Sequence, residues 1–200
     1  MFKSHSPMTR SHAVIILGAL LSLIILSHPV AAEDAKGWFE RGNELRKEGR
    51  LEDAAEAYKE SIRRNPNAAV VHYNLGRVYK NLRQYEKAAS ALETSVEMEP
   101  QNLDAHLALG NVYNFMERWE EAIGHLNLIV HRRTGDAEAH GNLGWAYYNY
   151  KSGPAFKYLV IVNLKKAVDL FDKKNMPQAA DATREVLREA MTKYGFENSN

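Results

Sequence analysis

The chain has 200 residues, 45% of them hydrophobic and 26% charged, with a formal net charge of +1. That length allows one domain or two small ones, and the charge balance argues against a basic nucleic-acid binder and an acidic disordered chain. There is no cysteine, which removes disulfides, thiol nucleophiles, Cys-ligated zinc, iron–sulfur clusters and covalent c-type haem attachment.

Residues 1–12 are polar and carry Lys3 and Arg10 but no acid. Residues 13–27 (AVIILGALLSLIILS) are apolar, His28–Pro29 breaks the run, and Val30-Ala31-Ala32 puts small residues before Glu33. This is the layout of a secretory signal peptide over 1–32. The apolar run is shorter than the ~20 residues that a spanning helix needs, and an uncleaved membrane anchor is the alternative reading. Either way the rest of the chain is expected to be exported. Without residues 1–32 the remainder is near neutral and has no long-range field for nucleic acid or anionic lipid. An exported chain with no cysteine and no Asn-x-Ser/Thr sequon points to a bacterial periplasm.

From Ala35 the sequence repeats every 34 residues, with frames opening at Ala35, Ala69, Leu103 and Ala137. The eighth position is Gly42, Gly76, Gly110 and Gly144. The eleventh is Leu45, Tyr79, Tyr113 and Tyr147. The seventh is Leu75, Leu109 and Leu143, with Arg41 in the first frame. The twentieth is Ala54, Ala88 and Ala122, and the twenty-fourth is Tyr58, Leu92 and Leu126. Pro66 and Pro100 end the first two frames, where proline stops one helix before the next begins. Second helices are predicted over 51–65, 85–99 and 119–132, where apolar residues recur every three or four positions. Strand-type alternation is absent, so the chain is expected to be all-α.

These slots resemble the tetratricopeptide repeat (TPR). The resemblance implies a right-handed superhelix of helical hairpins, an α-solenoid. Small residues let paired helices approach, and stacking buries what no single repeat can. The expected divisions are TPR 1 over 33–68, TPR 2 over 69–102, TPR 3 over 103–136 and a degenerate TPR 4 over 137–174.

The fourth frame breaks at Lys151-Ser152-Gly153-Pro154. A four-residue insertion restores the phase, with Val160, Leu164 and Ala167 at the twentieth, twenty-fourth and twenty-seventh slots of a helix running from about 155 to 173. Its start, Tyr158-Leu159-Val160-Ile161-Val162, is apolar on all faces and reads as a helix buried beneath a capping element. A face for a partner or for self-association is the alternative. A capping helix with proline in its first turn follows within 175–194, then a tail over 195–200.

His72, His106 and His140 share the fourth slot. Stacked equivalents lie about 10 Å apart, too far to share a zinc ion with ~2 Å bonds, so they read as packing residues. His125 and His131, beside Arg132 and Arg133, read as a solvated outer face. No nucleophile elbow, phosphate loop or zinc-protease motif is present. No catalytic residue, metal or cofactor is predicted, and the chain is expected not to be an enzyme.

In the family, positions two, five, nine, twelve and thirteen of each first helix line a concave groove that holds an extended peptide. The resemblance therefore implies a groove containing Phe39, Asn43, Arg46, Tyr73, Arg77, Lys80, Asn111, Asn114, Trp145 and Tyr148. The first two repeats place basic residues and no acid at these positions, including Lys36 and Lys47; the last two place Asp104 and Glu138. Cations and amides suit carboxylates or backbone carbonyls, and rings supply apolar contact. The family's carboxylate clamp usually has lysine at the fifth slot of two repeats, where this chain has Phe39, Tyr73 and Leu107. The expected function is an envelope adaptor or scaffold that binds a protein segment with acidic or C-terminal carboxylate groups, and not nucleic acid. The alternatives are a periplasmic chaperone-like module holding a client's C-terminal tail, as in cytochrome maturation, and a self-assembling subunit.

Overall fold

The computed structural model describes residues 34–150 and 156–196. The predicted signal segment, the insertion at 151–154 and the last four residues lie outside the described residues. The described part contains nine helices and no strand: α1 Ala35–Lys47, α2 Leu51–Arg64, α3 Ala69–Asn81, α4 Tyr85–Met98, α5 Leu103–Phe115, α6 Trp119–Arg132, α7 Ala137–Asn149, α8 Lys157–Lys173 and α9 Pro177–Tyr194. Each helix packs on the one before it and the one after it. Alternate first helices also touch (α3 on α5, α5 on α7), and α9 meets α7 in the same way. The result is an α-solenoid in which α9 stands where the first helix of a fifth repeat would stand.

The hairpins close on one recurring contact. A Cβ added to Gly76 would lie 2.5 Å from Leu92 Cγ and 3.1 Å from the Ala88 carbonyl oxygen. Gly42 faces Tyr58, Gly110 faces Leu126 and Gly144 faces Leu164 just as closely. Tyr58, Leu92, Leu126 and Leu164 are all essentially without solvent exposure, as are Ala54, Ala88, Ala122 and Val160 one turn earlier. Leu164 thus occupies the slot that the insertion assigns to it. Two buried clusters result, one across α1–α4 and one from α4 to α9, and Tyr79 borders both.

Polar latches repeat with the same period. At the turn within each of the first three hairpins, the backbone N–H of Arg50, Gln84 and Arg118 donates to the carbonyl of Leu45, Tyr79 and Tyr113, each at 2.9 Å. This six-to-one bond needs a left-handed residue just before its donor. Gly49 (φ 79°), Arg83 (φ 58°) and Glu117 (φ 58°) supply it, so only the first turn uses the residue best suited to that backbone. Ser61 and Ser95 donate from Oγ to the carbonyls of Ala35 and Ala69 at 2.6 and 3.0 Å. Between repeats, Tyr113 donates to Glu93, and Asn127 donates to the Tyr147 hydroxyl.

The fourth-slot histidines are a further latch. Nε2 of His72, His106 and His140 donates to the carbonyl six residues earlier, at Pro66, Pro100 and Thr134, over 3.1, 3.1 and 3.2 Å. Trp38 holds that slot in the first frame; its buried Nε1 has no partner among the described residues, and the residue six places earlier, Ala32, lies outside them. Because His106 donates from Nε2, its Nδ1 is the acceptor, and His125 Nδ1 donates to it at 2.8 Å. His125 is thus not part of a solvated face. It is half-buried between His106 and the Tyr113 ring, 5.6 Å away. His131 is exposed, as its position implied.

The start of α8 also departs from expectation. Val160 and Ile161 are buried, but Tyr158, Leu159 and Val162 are 60%, 40% and 62% exposed. The capping helix packs on α8 and buries its own Ala180 and Ala190, but leaves this arc largely exposed.

Two predictions follow from these contacts. Gly76→Ala should cost about 1–3 kcal/mol, because Leu92 and a backbone carbonyl must both give way. Gly124→Ala, mid-helix with nothing within 4 Å, should instead gain up to about 1 kcal/mol; urea unfolding of both variants checks the pair. Burial, and then its neighbour His106, push His125 down from 6.5 to about 4. Between those two pH values the unfolded chain takes up a proton that the folded chain refuses. Stability contributed by the neutral ring is therefore complete above pH 6.5 and falls as the pH drops towards 4. NMR titration of the His125 ring should show a midpoint near 4, and a midpoint near 6.5 would contradict the buried pair.

Candidate functional site

The first helices α1, α3, α5 and α7 stand side by side, so each residue slot becomes a row along one wall. In α1, three of the predicted residues gather round Tyr58 from α2. The Tyr58 hydroxyl donates to Asn43 Oδ1 at 2.8 Å, and the Phe39 ring centre lies 6.1 Å from that of Tyr58. Burial raises the Tyr58 phenol, and the guanidinium of Arg46 opposes the shift. Arg46 Nε is buried with no hydrogen-bond partner among the described residues.

Along α3, Arg77 lies over the Tyr73 ring at 5.4 Å. Among the described residues neither Arg77 nor Lys80 has a carboxylate within ion-pair distance. Along α5 and α7 the amides are already engaged. Asn111 Nδ2 donates to Glu138 Oε1 at 2.7 Å, Asn142 Nδ2 donates to Asn111 Oδ1 at 2.6 Å, and Asn114 Nδ2 donates to the Asn142 carbonyl at 3.0 Å. Asn114 Oδ1 is left buried without a partner. Arg46 and Asn114 both hold the twelfth slot of their first helix, so two equivalent positions on the wall keep an unused polar atom.

These rows form two adjoining clefts. One is lined by Tyr73, Arg77, Lys80, Asp104, Leu107, Asn111 and Glu138. The other is lined by Lys80, Asn111, Asn114, Phe115, Glu138, Asn142 and Trp145. The cations of the second repeat and the acids of the last two therefore meet in one place. The acids are satisfied within the fold, Glu138 by Asn111 and Asp104 by Arg133; the cations are not. Phe115 is 59% exposed and stacks on Tyr85 with ring centres 5.1 Å apart, and Trp145 is 39% exposed.

Tyr148 differs from the other predicted residues. It packs on Trp145, but α9 reaches it as well: the Tyr194 ring lies 6.3 Å away and Lys193 Nζ sits 4.2 Å above its ring. The cap thus closes over the wall at its fourth-repeat end and leaves the stretch from Tyr73 to Trp145 open. Sequence reasoning missed Asn142, Tyr85 and Lys193. Asn142 holds a sixth slot that the groove pattern omits, and the other two come from a second helix and the cap. Among the described residues no group of three or more His, Asp or Glu is placed to hold a metal ion.

Comparison with known proteins agrees with this architecture. A TPR-repeat model matches residues 42–82, and a tetratricopeptide-repeat model matches residues 82–146. No curated protein sequence matches the chain. Among solved structures, residues 41 to the end of MamA from Desulfovibrio magneticus RS-1 superpose with a TM-score of 0.64 at 21% identity, covering 83% of this chain and 97% of that one. YrrB, described as a TPR protein with an unusual peptide-binding site, gives 0.61 at 21% identity, covering 81% and 87%. The first TPR region of Spaghetti (RPAP3), bound to the HSP90 peptide SRMEEVD, gives 0.55 at 21% identity, covering 58% and 93%. At such identities these structures share the fold. With the family models together spanning residues 42–146, from Gly42 to beyond Gly144, the chain belongs to the tetratricopeptide repeat family, whose members are generally protein–protein interaction modules without enzymatic activity.

Proposed function

We propose that this chain is a non-enzymatic adaptor of the bacterial cell envelope whose inner wall holds an extended segment of a partner protein. The observation that carries the reading is the imbalance in the cleft. Asp104 is ion-paired with Arg133 and Glu138 accepts from the Asn111 amide, while among the described residues Arg77 and Lys80 have no carboxylate within ion-pair distance. A carboxylate arriving there gains charge-assisted bonds without displacing an existing partner. Exposed Phe115 and Trp145 next to it offer apolar contact for alternating side chains of the segment. Phe39, Asn43, Tyr73 and Asn111 shape the wall, and Tyr148 marks where the cap ends it.

The acidic HSP90 peptide held by the RPAP3 region supports a partner with carboxylates near its C-terminus. That favours holding the tail of an exported client within the general adaptor reading. The envelope location rests on the signal-like pattern of residues 1–32. Among the described residues no helix is long and apolar enough to cross a membrane.

The test uses SRMEEVD and a neutral analogue in which Gln and Asn replace its acids. The acidic peptide should bind at least tenfold tighter, a difference of about 1.4 kcal/mol, and should weaken as salt rises. Arg77→Ala and Lys80→Ala should each remove most of that preference, while Trp145→Ala should weaken both peptides alike. Equal affinities for the two peptides at low salt would defeat the proposal.

A further inference from the structure

The uncovered arc of α8 lies on a different surface from the groove and carries its own chemistry. At about 100° per residue, Tyr158, Leu159, Val162, Lys165 and Lys166 fall within roughly one third of the helix circumference. The first three are 60%, 40% and 62% exposed, and both lysines are exposed. Phe196 joins them. The left-handed Gly195 turns the chain back after α9, and Phe196 N–H donates to the Met191 carbonyl at 2.8 Å. This sets the Phe196 ring 5.2 Å from that of Tyr158. Lys157 Nζ lies 5.2 Å and 5.5 Å from the two ring centres. The first twelve residues of α8 contain three lysines and no acid. Asp169 and Asp172, further along, are paired with Lys173 and Arg184. Among the described residues no carboxylate is within ion-pair distance of Lys165 or Lys166.

We propose that this arc is a docking face for the surface of an anionic lipid bilayer. Tyr158, Leu159, Val162 and Phe196 would enter the boundary between headgroups and acyl chains, with Lys157, Lys165 and Lys166 against lipid phosphates. Exposed apolar side chains with lysines beside them on one face suit a helix at a membrane interface, and lysine stems reach from an apolar surface to a polar one. Charge complementarity disfavours a second copy as the occupant. A two-fold contact through this face brings lysines against lysines, and among the described residues of α8 both acids, Asp169 and Asp172, are already paired. The other exposed large rings, Phe115 and Trp145, sit beside the unpaired Lys80. Near-neutral overall charge removes long-range attraction but leaves this local patch intact. The proposal does not depend on what the groove holds.

The absence of cysteine makes the test direct. Full-length Val162→Cys carries an environment-sensitive fluorophore, and Glu56→Cys, exposed on α2, serves as the control site. Vesicles of phosphatidylcholine with and without phosphatidylglycerol are added. A blue shift at position 162 is expected with the anionic vesicles alone, and none at position 56. The probe reports the environment of α8 even if residues 13–27 also attach the chain to the vesicle. Adding Lys165→Gln and Lys166→Gln should raise the lipid concentration needed for half of the shift by roughly twentyfold, about a factor of five for each charge lost. No shift, or equal shifts on both vesicle types, overturns the proposal. A shift without lipid that grows with protein concentration also overturns it, and assigns the face to a second copy.

Discussion

Everything in this solenoid depends on how near two helix backbones can come. At Gly42, Gly76, Gly110 and Gly144 the facing side chain occupies the space that a Cβ would take. Close packing leaves no void to absorb an extra carbon. The contact therefore fixes the rotation of each first helix against its second. Once that rotation is fixed, every other slot has a set direction. The seventh and eleventh positions turn into the seam, and the second, fifth, ninth and twelfth turn to the wall. A groove residue such as Arg77 points outward because its neighbour Gly76 is held inward.

Some of the polar latches act on a different part of the problem, the stacking of one hairpin on the next. A fourth-slot histidine bonds to the last turn of the preceding repeat, and an eleventh-slot tyrosine reaches the second helix of the preceding repeat. These bonds are local, so each repeat is held mainly by its neighbours, as expected for a one-dimensional array. The array also needs an end. α9 supplies it by taking the place of another first helix, with Ala180 and Ala190 buried and charged residues outward. The same placement brings Tyr194 and Lys193 over Tyr148, so the fold's termination also sets the length of the open wall.

The repeat period made most of this architecture legible in the sequence. Gly144 and Leu164 could be matched across a four-residue insertion because the Gly–Leu contact tolerates so few alternatives. Side-chain partnerships were harder to read. His125 looked like a surface residue because it shares a helix with His131, Arg132 and Arg133, yet its ring is held by His106 from the facing helix. Asn111 looked like a free groove amide, yet Glu138 and Asn142 from the next repeat engage both ends of it. Such pairings join residues about twenty to thirty positions apart, and a slot pattern records which way a side chain points but not what meets it. The exposed start of α8 was misread for a related reason. A run of five apolar residues suggested burial on all sides, but a single capping helix can cover only part of the circumference of α8.

The two candidate surfaces share a physical logic although they lie on different elements. In each, the acids nearby are already paired within the fold, by Asn111 and Arg133 at the wall and by Lys173 and Arg184 on α8. The unpaired groups left over are cations beside exposed rings or aliphatic side chains. Surface ion pairs are worth little to stability, so pairing these cations would have added almost nothing to the fold. Leaving them unpaired keeps their full charge available for an anionic partner. The acids show the converse: each is held by a partner within the fold, Glu138 by the Asn111 amide and the others by cations. A chain with near-neutral overall charge and such local patches attracts anionic groups at contact range rather than by long-range capture.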